Sequence, residues 1–203
     1  MGNILSYTEF SNLPTVLIIH MYDPISDTLT FNFGHIANVI GVKHNDENLI
    51  DIFKKNRKKI DAVVISGSRL SPMKGGERRA IPDEIINSEK PILGICYGYE
   101  WYMMHDGAKL EKMDIPENTA VKAILKDVPL FKGLPRVNSV YMSHNKVVAN
   151  IPSGYEKIAE TDLTEYAGVQ NIEKKFWGLQ FHPEKTWLSE IIFRNFLDII
   201  KDL

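Results

Sequence analysis

The chain's single cysteine lies in Gly94-Ile-Cys96-Tyr-Gly98, after the apolar run Pro91-Ile92-Leu93 and before the helix-like Tyr99-Glu-Trp-Tyr-Met-Met104. Strand, sharp turn and helix in that order lift a side chain clear of a sheet. G-x-C-x-G is the thiol counterpart of the G-x-S-x-G nucleophile elbow. The flanking glycines are expected to tolerate the strained turn. A sulfur there sits at a helix N-terminus, where backbone N–H groups and the helix dipole favour a thiolate and can hold an oxyanion after attack on a carbonyl. A thiol nucleophile needs a base, and the base an orienting acceptor. Gly178-Leu-Gln-Phe181-His182-Pro183-Glu184 offers both. A strand ends at Phe181, His182 sits at its carboxyl end, and Pro183 stops regular continuation. Glu184 is then close enough to reach back to the imidazole.

Each residue also has an ordinary reading: an inert core thiol, a capping histidine, a solvated glutamate. Placed together at matched strand ends, Cys96, His182 and Glu184 are far more specific.

The elements that must position them alternate. Apolar, β-branched runs at 16–20, 39–43, 62–65 and 91–95 read as strands, with helical stretches through Leu29, Phe31, Phe33 and Ile36, over 47–58 and over 82–88. This pattern predicts an α/β fold, a mostly parallel open sheet covered by helices on both faces. Ligands in such sheets bind beyond the carboxyl ends of the strands. Cys96 and the turn Ser66-Gly67-Ser68-Arg69 both lie at such ends and should share one crevice. In the last third, runs at 119–125, 137–143, 156–160, 166–171 and 176–181 read as antiparallel additions, and 188–203 as an amphipathic helix with Leu188, Ile192, Phe196 and Leu203 on one face.

Bulk properties narrow the classes. The 203 residues, expected to form one domain with a lead-in over 1–13, are 44% apolar and 25% charged with a formal net charge of −2. That balance argues against a nucleic-acid partner, which calls for a basic excess. One cysteine excludes an internal disulfide framework and a multi-cysteine metal site, and a reducing, cytoplasmic setting fits. His20, His35, His44 and His105 lack metal-ligand spacing, so no metal is expected. No apolar run is long enough for a membrane span. Met1-Gly2-Asn3-Ile4-Leu5-Ser6 fits the N-myristoylation pattern, which makes Gly2 a candidate lipidation site. No polybasic run supplies a second anchor, and an unmodified lead-in is the simpler reading. The basic run Lys54-Lys55-Asn-Arg57-Lys58-Lys59 reads as a solvated helix face.

The elbow and the His-Pro-Glu segment resemble the class I glutamine amidotransferases. Val16-Leu-Ile-Ile-His-Met-Tyr-Asp23 is similar to that family's first strand and turn, and Ile65-Ser-Gly67 to its oxyanion-strand turn. The C-terminal part most resembles the glutaminase subunit of GMP synthase, through Leu130-Phe-Lys-Gly-Leu-Pro135, Tyr141-Met-Ser143-His144-Asn and Ile151-Pro-Ser-Gly-Tyr-Glu156. The resemblance implies a flavodoxin-like fold and hydrolysis of glutamine's side-chain amide through a γ-glutamyl thioester on Cys96. His182 would be the acid–base group and Glu184 its orienter. It further implies an oxyanion hole from Tyr97 with Gly67 and Ser68, and substrate contacts from Glu100, Ser143 and His144, with His144 equally a bystander. The ammonia would go to a separate ATP-dependent synthetase that aminates xanthosine monophosphate. The chain itself needs no cofactor, and ATP and Mg belong to that partner. No Gly-x-x-x-x-Gly-Lys loop occurs here.

Two positions depart from the family pattern. Glu100 stands where the family usually has glutamine, and an ionised carboxylate accepts hydrogen bonds but cannot donate them. Ser68-Arg69 replaces Gly-Pro in the oxyanion turn. A stand-alone γ-glutamyl hydrolase and a non-catalytic binding module of the same fold therefore stay open, as does, more distantly, another elbow-cysteine hydrolase.

Overall fold

The computed structural model describes residues 6–7, 12–21, 27–69 and 81–203. Gly2, the turn at 22–24 and the basic loop at 74–79 lie outside them. The first half runs β1 (Ser6–Tyr7), β2 (Thr15–His20), α1 (Asp27–Gly34), β3 (Asn38–Lys43), α2 (Leu49–Asn56), β4 (Ile60–Ile65), α3 (Asp83–Ile86), β5 (Ile92–Ile95) and α4 (Tyr97–His105). The second half adds β6 (Leu110–Glu117), β7 (Ala120–Leu125), β8 (Val137–Tyr141), β9 (His144–Val148), β10 (Glu156–Thr161), β11 (Gly168–Asn171), β12 (Phe176–Leu179) and α5 (Leu188–Lys201).

Ten of these strands form one sheet in the order β1-β3-β2-β4-β5-β12-β11-β10-β7-β8. The five strands β3, β2, β4, β5 and β12 are parallel, and β1 is an antiparallel edge laid on β3. The parallel core was legible because its strands are apolar without interruption, as strands buried on both faces must be.

The pleat divides those apolar residues between two layers. Val16 and Ile18 point to the side covered by α1 and α5, where Phe33 stacks on Phe193 at 4.3 Å and Trp177 meets Phe196 edge-on. Leu17 and Ile19 point to the opposite layer, packed with Ile52 and Phe53 of α2 and Tyr99 and Met103 of α4. Helix α5 stops at Lys201, so Leu203 is exposed rather than on the buried face. The basic run from Lys54 to Lys59 is exposed apart from the half-buried Asn56, as expected.

One strand of the last third differs from expectation. β12 is not an antiparallel addition: it pairs parallel with β5, Gly178 opposite Gly94 and Leu179 opposite Ile95, and antiparallel with β11 on its other side. The reversal places the carboxyl end of β12, with His182 beyond it, next to the carboxyl end of β5, with Cys96 beyond it. β6 and β9 form a separate two-stranded ribbon that the sequence did not announce.

Candidate active site

Cys96 is the residue between β5 and α4, with φ 49° and ψ −105°. The backbone strain sits on the cysteine itself and not on its flanking glycines, neither of which has positive φ. Such a conformation costs about 1–3 kcal/mol and persists only where its surroundings fix it. Here they do. The Cys96 N–H donates to Leu179 O at 2.7 Å and the Glu100 N–H donates to Cys96 O at 2.9 Å. Gly98 serves close approach instead: a Cβ there would collide with the Ile65 carbonyl at the end of β4.

His182 follows β12 and is fixed by its own N–H, which donates to Tyr141 O at 2.9 Å. Its Nδ1 lies 2.6 Å from Glu184 Oε1 within a short 3-10 turn, Pro183–Lys185. Asn32 of α1 donates to the Glu184 carbonyl at 3.2 Å and ties that turn to the first helix. A carboxylate on Nδ1 fixes the tautomer with the proton on Nδ1, leaving Nε2 basic. Nε2 is buried and has no hydrogen-bond partner among the described residues, as has Glu184 Oε2.

The turn after β4 closes the third side. Ser66 Oγ accepts from the Met21 N–H at 2.9 Å and donates to Gly67 O at 3.0 Å. Holding that carbonyl fixes the planar peptide, so the Ser68 N–H points the opposite way. Gly67 touches both reactive side chains. A Cβ there would come within 2.8 Å of His182 Cε1 and 3.5 Å of Cys96 Cβ. Glycine is required because the imidazole occupies the space.

All nine residues expected at the site (Cys96, His182, Glu184, Gly67, Ser68, Tyr97, Glu100, Ser143 and His144) line one cleft of about 720 Å³. A second cleft of about 540 Å³, between β7, β10 and the loop at 133–136, holds surface ion-pairing side chains such as Lys126 and Lys157 but no nucleophile.

The thiol at rest is not the thiolate that a helix N-terminus alone would favour. Burial pushes the Cys96 thiol well above its ordinary range, and the carboxylates of Glu100 and Glu184 push it further; the Tyr97 N–H and Lys185 pull the other way with less effect. Sγ lies 3.7 Å from Ser143 O and 3.8 Å from Gln180 Nε2. Burial also raises the Glu100 carboxyl to about 7, against the opposing pull of its hydrogen bond from Gln180 and of Lys146.

His144 is committed elsewhere. Its Nδ1 lies 2.6 Å from Lys146 O and its Nε2 3.0 Å from Glu117 Oε2, which also accepts from Thr164 Oγ1 at 2.8 Å. Both ring nitrogens are occupied, so the ring holds the ribbon rather than offering itself to a ligand. Ser143 Oγ donates to Asn118 Oδ1 at 3.1 Å. Sequence reasoning places Ser66 in the crevice only as part of its turn and passes over Gln180 and Glu117. Gln180 was findable: it lies two residues before His182 and directly follows β12.

Known proteins share this geometry's fold and much of its sequence. The model of the family described as glutamine amidotransferase class-I matches residues 17–199. The chain is 38% identical over 163 residues to a Staphylococcus carnosus GMP synthase (glutamine-hydrolyzing), covering 78% of this chain and 31% of that protein. It is 40% identical over 151 residues to the Clostridium novyi protein of the same name, covering 72% and 28%. The chain thus spans about three tenths of the length of these curated relatives. Among solved structures, a Thermoplasma acidophilum protein provisionally assigned to GMP synthase superimposes with a TM-score of 0.77 at 22% identity, over 95% of this chain and 96% of that one. That likeness speaks for the fold. The match across residues 17–199 places this chain in the class-I glutamine amidotransferase family.

Proposed function

We propose that this chain hydrolyses the side-chain amide of glutamine through Cys96, His182 and Glu184 and delivers the ammonia to a separate synthetase. The observation that carries the reading is His182. Glu184 holds its Nδ1 at 2.6 Å, while Nε2 is buried, unpartnered among the described residues and in the same cleft as the cysteine of a strained elbow. A binding-only module has no need of that arrangement.

In this scheme Nε2 of His182 takes the proton from Sγ, and the thiolate attacks the amide carbon of glutamine. The resulting oxyanion is met by the Tyr97 N–H and by an N–H of the Gly67-Ser68 turn. The imidazolium then returns its proton to the leaving nitrogen, the C–N bond breaks, and ammonia departs from a γ-glutamyl thioester. Water, deprotonated by His182, attacks the thioester carbon and expels the thiolate, giving glutamate. Glu184 stays ionised throughout and stabilises the imidazolium. Ser66 acts as a positioning residue for the oxyanion turn.

The acceptor follows from the relatives, whose printed name is GMP synthase (glutamine-hydrolyzing) and of which this chain matches about three tenths. The printed name supports a synthetase partner, which we take to be one that uses ATP to activate xanthosine monophosphate for amination to GMP. The test combines this chain with such a synthetase, ATP, Mg and xanthosine monophosphate. GMP formation supported by glutamine is expected, and formation supported only by free ammonium would contradict the proposal.

A further inference from the structure

Glu100 lies on the first turn of α4, buried beside the nucleophile. It accepts a hydrogen bond from Gln180 Nε2 at 3.0 Å, and the same nitrogen lies 3.8 Å from Cys96 Sγ. One fully buried amide therefore touches both the carboxyl and the sulfur. We propose that Glu100 and Gln180 form a proton-sensitive pair that tunes the nucleophilicity of Cys96, disfavouring the thiolate more strongly while Glu100 is ionised and less strongly once Glu100 takes a proton from solvent. This rests on Cys96 being the nucleophile of the proposed hydrolysis.

Two observations carry it. An ionised carboxylate one amide away from the sulfur, with both groups buried, makes a second negative charge on the thiol unfavourable. The titrations of the two groups are coupled, each favouring the other's neutral form. Second, Gln180 Oε1 is buried without a partner among the described residues. An ionised Glu100 cannot serve that oxygen, because it has no proton to donate, whereas a protonated carboxyl adds a donor beside it.

The surroundings permit the titration. Tyr99 faces Glu100 from the same helix and is itself pushed up, by burial first and then by Glu100. Lys146, from β9, pulls the Glu100 carboxyl down without overcoming burial. Around the sulfur, Glu184 opposes the thiolate and Lys185 favours it. His182, His144 and Glu117 line the same cleft. None of these is removed in the test below.

The test is alkylation of the full chain by iodoacetamide between pH 5.5 and 10. Cys96 is the only cysteine, so no other thiol reports. In Glu100→Gln the midpoint for alkylation is expected to fall by about one pH unit or more. At pH 8 the variant should react at least about threefold faster, a tenfold gain in thiolate being partly offset by its weaker nucleophilicity. Glu100→Ala should move the same way. A purely packing role for Glu100 would change the unfolding temperature and leave the thiol midpoint in place; superimposable profiles overturn the proposal. In the unmodified chain alone, iodoacetate should lose ground to iodoacetamide as pH rises from 6 to 8, and a flat ratio also overturns it. The readout needs no glutamine. A shifted midpoint in a chain that fails to hydrolyse glutamine both alone and with a synthetase refutes the function and keeps the pair, and coincident midpoints in an active glutaminase do the reverse.

Discussion

The sulfur of Cys96 rests 3.7 Å from the carbonyl oxygen of Ser143, while Nε2 of His182 stands without a partner among the described residues. Cys96 and His182 share a cleft and a glycine wall, yet the sulfur's hydrogen bond goes to the residue leading into the ribbon and not to the imidazole. A thiolate–imidazolium pair is therefore not preformed. With burial and two carboxylates pushing the thiol up, the ultraviolet absorbance of the thiolate should be missing at pH 7 and emerge only above 9. The difference spectrum between this chain and Cys96→Ser measures it. Full thiolate absorbance at pH 7 would contradict the resting arrangement.

In the proposed hydrolysis Glu184 contributes charge and orientation through its 2.6 Å contact with Nδ1. Glu184→Gln keeps the shape and removes the charge. It should lower kcat by about 10²–10⁴-fold with little change in KM, as loss of an orienting carboxylate does in other triads. Steady-state glutamate release checks this, and an unchanged kcat would remove Glu184 from the site.

Gly67 is a packing requirement of the same site. A methyl group there would meet His182 Cε1 at 2.8 Å, so Gly67→Ala must push the imidazole aside. Activity should fall by about 100-fold, since a misplacement near 1 Å is enough to cost that much. The unfolding temperature, by contrast, should change little.

The Glu100 carboxyl also governs stability against pH. Its folded value, about 7, lies above the ordinary 4.5, so the folded protein binds this proton more tightly than the unfolded chain does. The penalty from burying its charge is absent below 4.5, grows between 4.5 and 7, and is complete above 7. Glu100→Gln should therefore stabilise the protein by up to about 3 kcal/mol at pH 8 and hardly at all at pH 4.5. Urea unfolding at the two pH values decides; an equal effect at both would assign the change to packing.

The ribbon depends on a buried pair, His144 Nε2 with Glu117 Oε2 at 3.0 Å, backed by Thr164. Removing one partner of such a pair costs about 3–5 kcal/mol. Glu117→Ala should lose stability of that order and raise KM for glutamine, because Ser143 and His144 border the cleft. Stability lost with KM unchanged would separate the ribbon from substrate binding.

How much of this was legible in the sequence differs by element. The parallel strands and the Cys96, His182 and Glu184 positions could be read because uninterrupted apolar runs end in residues with distinctive chemistry. β12 reads as antiparallel because a turn precedes it, and local sequence does not reveal a strand inserted beside β5. The ribbon escaped because β6 contains Pro116 and is buried only at Leu110 and Glu117. It therefore lacks the alternation that marks a half-buried strand. Glu117 and Thr164, 47 residues apart, meet only through tertiary structure. The raised thiol is less legible, since its largest cause is burial, which only the tertiary structure supplies, and Glu184 adds to the nearby Glu100 from the far end of the chain.

The most direct test of glutamine hydrolysis at Cys96 is glutamate release from glutamine by the purified chain, alone and with a xanthosine-monophosphate-aminating synthetase, beside Cys96→Ala. Release by the unmodified chain is predicted in at least the paired assay, with none above background from the variant. Release that survives in Cys96→Ala, or none from either protein in both assays, would contradict it.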